Sequence, residues 1–382
     1  MVHDRSRDLF NPELESLTCF DCGTPHEVGR LHSTCERCGL PLQVNMRLKP
    51  DTDPGSVIDT SLSSLWRYWA VLPVRLEASV SLTEGWTPLV RVDQHTWVKD
   101  EARNPTGSFK ARGMSMAVSA ALALGVDRLV APSAGNAAGA LAAYGAAAGV
   151  DVLVAMPDDT PRPFVEECRQ YGAQVELVLG TISDSGKWLA ENRSPGDFDL
   201  STLKEPFRVE GKKTMGYELW EQFDGDLPDV IIYPTGGGTG LVGMWKAFGE
   251  MEAMGWIGPE RPRLVSVQSD GCAPVVAGFL AKRTRTEPWS DARTTAYGLR
   301  VPNPIAGFIC LRAIRETNGI ALAVPESEIA PAAAAMSATT GVDACPEAGA
   351  GWAALEILRD QGWIGADERT LVFNTGTGLK YR

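Results

Sequence analysis

The chain lacks a run of apolar residues long enough to cross a membrane. No stretch approaches the ~18 consecutive residues of a spanning helix, and the Ala-rich run after Asn136 is broken by Gly139, Gly145, Gly149 and Asp151. It also lacks excess positive charge. Lys and Arg number 36 against 48 Asp and Glu, for a net charge of −12, which excludes a general nucleic-acid binder, since affinity for phosphate backbones needs clustered cations. The opening MVHDRSRDLF has no apolar signal-peptide core, so the expected location is cytoplasmic. Nor is there a disulfide framework. Of eight cysteines, Cys168, Cys272, Cys310 and Cys345 stand alone and far apart and read as buried, inert thiols.

What is present is an ordinary globular composition, 44% hydrophobic and 22% charged over 382 residues, enough for about two to three domains. Residues 1–48 are polar, hold two cysteine pairs and end in the turn-rich Lys49-Pro50-Asp51-Thr52-Asp53-Pro54-Gly55. From about residue 95 the pattern alternates strand, turn and helix. Buried strands are predicted at Leu129–Ala131, Val152–Met156, Val175–Leu179, Val230–Tyr233, Leu264–Val267 and Leu371–Phe373. Leu241, Met244, Trp245, Phe248, Met251 and Met254 share one face of a helix. Residues 182–200 and 281–296, polar and weakly periodic, read as loops. The alternation predicts an α/β fold with a largely parallel sheet covered by helices on both sides.

Cys19-x-x-Cys22, twelve residues, then Cys35-x-x-Cys38 is zinc-ribbon spacing. Four thiolates make a closed tetrahedral site, which is structural because no position remains for water. His26 and His32 lie between the pairs, but the shell is full without them.

Four further motifs carry chemistry. In Asn104-Pro105-Thr106-Gly107-Ser108-Phe109-Lys110, Ser108 is placed to cap a helix whose first turn holds Lys110. A lysine there finds its ammonium form disfavoured by the dipole and by desolvation, and a neutral amine can form a Schiff base with an aldehyde. Ser133-Ala134-Gly135-Asn136 follows a strand and opens a helix, where backbone N–H groups bind an anion; a small carboxylate fits, and so does a phenolic oxygen. Gly236-Gly237-Gly238-Thr239-Gly240 sits between a strand and a helix as a bare-backbone phosphate nest. It has neither the Walker nor the dinucleotide-binding spacing. Thr375 displays a hydroxyl at the carboxyl end of the last strand.

Together these groups match the aldehyde, phenolic oxygen, phosphate and ring nitrogen of pyridoxal phosphate. In this order the motifs resemble the fold-type II pyridoxal-phosphate enzymes, the tryptophan synthase β-chain superfamily, from about Glu84 to Arg382. Within that group the chain is most similar to the threonine synthases, in Asn104 to Lys110, in the Ser133-x-Gly135-Asn136 loop and in the terminal Thr375-Gly-x-Gly-Leu-Lys380.

The resemblance implies two open, mostly parallel twisted sheets flanked by helices, with the zinc ribbon as an N-terminal module. The expected domains are residues 1–48, a larger domain of 49–124 and 216–382, and a smaller one of 125–215. It implies Lys110 as the Schiff-base lysine, Asn136 on the phenolic oxygen, Gly236 to Gly240 around the phosphate and Thr375 on the pyridine nitrogen. Ser133, Ala134 and Gly135 would take the α-carboxylate of an amino-acid substrate, with Lys99, Arg112 and Arg300 as candidate cations for a substrate phosphate. The implied reaction converts O-phospho-L-homoserine and water to L-threonine and phosphate, in a homodimer. Three departures, Ala111 after the lysine, Thr377 where many of these enzymes have His, and a phosphate loop nearly all glycine, keep a serine/threonine dehydratase or related β-elimination or replacement enzyme as the alternative.

Overall fold

The architecture, from a computed structural model, is described for residues 7–382; the first six residues of the N-terminal stretch expected to lack a signal peptide lie outside the described residues. The strands along the chain are β1 (Leu14–Cys19), β2 (Pro25–His26), β3 (Leu42–Met46), β4 (Leu89–Arg91), β5 (Thr96–Asp100), β6 (Arg128–Pro132) and β7 (Asp151–Pro157). After them come β8 (Gln174–Val178), β9 (Phe198–Asp199), β10 (Val230–Pro234), β11 (Arg263–Ser269), β12 (Ile320–Val324) and β13 (Thr370–Asn374). The helices are α1 (Lys110–Ala123), α2 (Asn136–Ala148), α3 (Arg162–Gln170), α4 (Ile182–Asn192) and α5 (Phe207–Gln222). They continue as α6 (Thr239–Ala253), α7 (Pro274–Leu280), α8 (Gly307–Glu316), α9 (Glu326–Thr340) and α10 (Pro346–Asp360). No helix among the described residues is long and apolar enough to cross a membrane.

Two compact units divide the chain. The first comprises residues 1–86, 104–106 and 110–214. The second comprises 87–103, 107–109 and 215–382. Residues 49–86 and α1 thus group with 125–214 rather than with 216–382.

The first unit contains an antiparallel sheet, β2-β1-β3, and a parallel one, β8-β7-β6-β9. Strand alternation explains how the parallel sheet is covered. Leu129, Ala131, Val152, Val154 and Met156 pack into one core with the apolar residues of α1 and α2, whereas Val130, Leu153 and Ala155 pack with Leu189 of α4. Successive side chains point to opposite faces, so both faces of β6 and β7 are buried, whereas the buried strand expected at Val175–Leu179 is the half-exposed edge strand β8, with Leu177 and Leu179 exposed. The segment expected as a loop over 182–200 is helical through Asn192. A capping box, in which the Thr181 hydroxyl and amide meet the Asp184 carboxylate, starts α4, and burial of Leu189 fixes it. Residues 281–296 form no helix or strand, as expected.

The second unit holds one sheet in the order β12-β11-β10-β13-β5-β4. All its pairs are parallel except β4 with β5. Val98, Val230, Ile232, Val265, Val267 and Val372 share a core with residues of α9 and α10. The predicted stripe on α6 is buried at Leu241, Met244, Phe248 and Met251, with Trp245 partly exposed. After β10 the chain adds β11 and β12 on one side, then returns to insert β13 on the other. That reversal makes the β10–β13 seam a topological switch point, where open α/β sheets bind ligands beyond the strand ends.

Candidate cofactor and metal sites

Two loops meet that seam. Val230 pairs with Thr370 and Ile232 with Val372, so Pro234 and Asn374 end their strands side by side. Beyond β10, the Thr235 N–H donates to the Val267 carbonyl (2.8 Å), and the chain turns through Gly236 to Gly238 into α6. Gly238 is left-handed, at φ +83°, and no side chain caps the helix. A Cβ at Gly236 would run into the Gly298 carbonyl, at Gly238 into the Cys310 sulfur, and at Gly240 into the Tyr233 hydroxyl. The loop is therefore packed from behind with no side chain of its own in the way, which leaves the first amides of α6 available to an anion.

Beyond β13 lies Thr375, buried, with its Oγ1 3.7 Å from the Cys345 sulfur. The neighbouring Asn374 side chain donates to Asp100 (2.9 Å) and accepts from the Cys345 N–H (3.2 Å), which fixes the end of the strand.

The segment leading to Lys110 is bound to the same edge. The Thr377 N–H donates to the Gly107 carbonyl (2.8 Å) and the Phe109 N–H to the Thr375 carbonyl (3.0 Å). Ser108 and Gly376 form an antiparallel bridge. Thr106 and Gly107 are both left-handed, at φ +59° and +64°, and a Cβ on Gly107 would stand 2.7 Å from Thr377 Cγ2. Lys110 follows directly as the first residue of α1. Ser108 does not cap this helix as expected. Its backbone is held in the bridge two residues upstream, and its buried hydroxyl has no hydrogen-bond partner.

In the first unit, the Ser133 N–H extends the β6–β7 ladder to the Ala155 carbonyl (3.0 Å). Gly135 then leads into α2 with no side-chain cap, and nothing lies within 4 Å of where its Cβ would stand. Asn136 Oδ1 is buried with no protein partner. A buried amide oxygen without a partner costs about 1–3 kcal/mol, so Oδ1 calls for a ligand group that donates to it, while the uncapped amides opening α2 are donors that can meet an anion. The same holds for the nest at Gly236–Gly240. The residues present therefore suit an anionic, hydrogen-bonding cofactor.

The cations suggested for a second phosphate fare differently. Lys99 is fully buried, and its ammonium donates to the Thr87 carbonyl (2.6 Å), Glu218 Oε1 (2.5 Å) and Gln222 Oε1 (2.6 Å). Its three protons are spent, so it anchors β5 to α5 and does not serve an anion. Arg112 is buried and donates to the Thr214 hydroxyl (3.2 Å). Arg300 lies against the ring of Tyr297, 5.2 Å from its centroid. Sequence reasoning missed Arg208. It is buried in the first turn of α5; Nη1 donates to the Leu200 carbonyl (2.7 Å), while Nε and Nη2 have no partner. Beside it, Glu205 accepts from the Phe207 and Arg208 amides (2.7 and 3.1 Å). Burial pushes its carboxyl up to about 7 despite the nearby guanidinium. The sequence signal was Glu205-Pro206-Phe207-Arg208, an acidic cap and a basic residue opening one helix.

The four N-terminal thiols converge. Cys19 and Cys38 sulfurs are 3.4 Å apart, Cys22 and Cys35 3.7 Å, and Cys22 and Cys38 3.6 Å. Each pair ends in the same turn, with the Gly23 N–H on the Cys19 carbonyl (3.1 Å) and the Gly39 N–H on the Cys35 carbonyl (2.8 Å).

This fold and these loops define a class. The chain belongs to the pyridoxal-phosphate dependent enzymes, whose family model matches residues 80–376. Within that family it stands with the threonine synthases. It is 33% identical to the threonine synthase of Methanosarcina acetivorans over 95% of this chain and 92% of that one. It is 34% identical to that of Methanocaldococcus jannaschii over the same shares. In fold it is similar to an L-serine ammonia-lyase from Rhizomucor miehei, with a TM-score of 0.68 at 19% identity over 80% of this chain and 98% of that one.

Proposed function

We propose that this protein is a threonine synthase, converting O-phospho-L-homoserine and water to L-threonine and inorganic phosphate. The observation that carries the cofactor assignment is the seam of β10 and β13. A bare glycine nest and a buried threonine hydroxyl end adjacent strands there, and the peptide before Lys110 is hydrogen-bonded to the same edge.

In this reading Lys110 carries the cofactor aldehyde, Gly236 to Gly240 hold its phosphate, Asn136 meets its phenolic oxygen and Thr375 its ring nitrogen. Bound pyridoxal phosphate supplies an electron sink for negative charge developing on the substrate. Ser133, Ala134 and Gly135 receive the substrate α-carboxylate through backbone amides and the serine hydroxyl. Arg208, with two buried nitrogens to spare, receives the substrate phosphate and steadies it as it leaves Cγ. The Lys110 amine would move the protons at Cα, Cβ and Cγ, and water would add at Cβ to become the threonine hydroxyl. Thr375 is neutral and cannot hold a proton on the ring nitrogen as a carboxylate would, which favours elimination and replacement over transamination.

The four cysteines hold structural zinc. Sulfurs at 2.3 Å from a tetrahedral ion stand roughly 3.8 Å apart, close to the separations of 3.4, 3.6 and 3.7 Å. The ion stabilises residues 1–48 as a module and leaves no open coordination position. A cytoplasmic homodimer completes the reading.

The test incubates the purified holoenzyme with O-phospho-L-homoserine, L-threonine or L-serine and measures phosphate, threonine and 2-oxo acid. Equimolar phosphate and threonine from the first substrate are expected. Oxo acid from threonine or serine, without phosphate release from the first, assigns the protein to the dehydratases instead.

A further inference from the structure

A second group of metal-ligating side chains lies in the cysteine-bearing segment. His26, His32 and Glu36 each bring one ligating atom to within 4.8 Å of the others. They come from three places in the backbone. His26 ends β2, where the strand pairs with Leu17; His32 lies in the connection that follows; Glu36 lies inside the second cysteine turn, next to Cys35.

Hydrogen-bond geometry selects among uses for this group. His32 Nε2 lies 2.8 Å from the backbone carbonyl of Glu27. A carbonyl only accepts, so Nε2 carries a hydrogen and Nδ1 is the ring nitrogen left to offer a lone pair to a metal. That outer hydrogen bond is the one that orients metal-binding histidines. Nδ1 stands 3.8 Å from Glu36 Oε1, too far for a hydrogen bond. Two ligands of one tetrahedral ion at 2.0–2.2 Å are roughly 3.4 Å apart. The rings of His26 and His32 meet edge to face, with centroids 5.2 Å apart. His26 Nε2 is buried and has no hydrogen-bond partner.

We propose that His26, His32 and Glu36 form a second, open site for a divalent transition-metal ion of the zinc type, distinct from the four-thiolate cluster. Two imidazoles and one carboxylate suit such an ion. Three protein ligands leave a fourth position for water, so this ion exchanges readily, whereas one enclosed by four thiolates does not.

The experiment titrates the full-length protein, stripped of metal and kept reduced, with Co2+. Thiolate-to-metal charge-transfer absorption is expected to saturate at one equivalent. A second equivalent then adds only weak visible bands and is removed first by a mild chelator. In H26A/H32A the second step is lost while the thiolate band is unchanged, which also reports that the segment has folded. Glu36→Ala, at an exposed position, weakens the second step tenfold or more. Saturation of the wild type at one ion, or a second step that survives in H26A/H32A, overturns the proposal.

Discussion

The backbone N–H of Phe109 donates to the carbonyl of Thr375 across 3.0 Å. One residue further on stands the lysine proposed to carry the cofactor, so the bond ties the residue before the lysine to the residue proposed to face the pyridine nitrogen. Gly107 permits this because its φ is +64° and its missing Cβ leaves room for Thr377. Gly107→Val is expected to lower stability by about 2 kcal/mol, from left-handed strain plus the steric clash. It should weaken cofactor retention as well, read by thermal denaturation and by the visible absorbance of the purified protein.

Lys110→Ala is expected to abolish turnover and borohydride trapping of the cofactor while leaving the circular-dichroism spectrum and metal content as in the wild type. Peptide mapping of the reduced wild-type protein should place the adduct on Lys110. An adduct on another lysine, or turnover by the variant, would remove the proposed mechanism.

Arg208→Leu tests the substrate-phosphate reading. Two charge-assisted hydrogen bonds of about 1.5–3 kcal/mol each correspond to at least a hundredfold loss in kcat/KM for phosphohomoserine. Inorganic phosphate is expected to inhibit the wild type competitively and to have no such effect on the variant. A loss confined to thermal stability, with kcat/KM kept, would make this arginine structural.

Glu205 gives stability a pH dependence of defined sign. Its carboxyl titrates near 4.5 in the unfolded chain and is pushed up to about 7 by burial in the native one. Between those values the folded protein holds more protons, so stability falls as pH rises through this window, by about 3 kcal/mol in all. Glu205→Gln keeps an acceptor for the two amides, and its urea-denaturation midpoint should vary less than that of the wild type between pH 5 and about 7.5.

Much of this architecture was legible from apolar runs. The strands at Leu129, Val152, Val230, Leu264 and Leu371 were visible because each is buried on both faces and so reads as an unbroken hydrophobic stretch. β5 was not, because its Thr96-Trp97-Val98-Lys99-Asp100 carries two charged residues into a central position. Lys99 is held there by Thr87, Glu218 and Gln222, two of which lie 119 and 123 residues away in sequence. α4 was hidden for the opposite reason, its polar surface outweighing a single buried leucine, although Thr181 and Asp184 announced its start. The glycine nest and the cysteine pairs could be found from spacing because their chemistry is local. Arg208 could not, since the two unpartnered nitrogens that single it out follow from tertiary packing.

The seam has a bearing on biogenesis. Asp229 and Arg369, at the feet of β10 and β13, are joined by a hydrogen bond across 140 residues of sequence. The glycine loop is synthesised long before the strand that completes its setting, and β13 must insert between β10 and β5 rather than add to an outer edge. Until it does, the nascent sheet has a gap at its centre, with two unpaired strand borders facing each other. A chain that ended before β13 would lack the strand bordering the glycine loop and would leave β10 and β5 without their shared neighbour, open to mispairing.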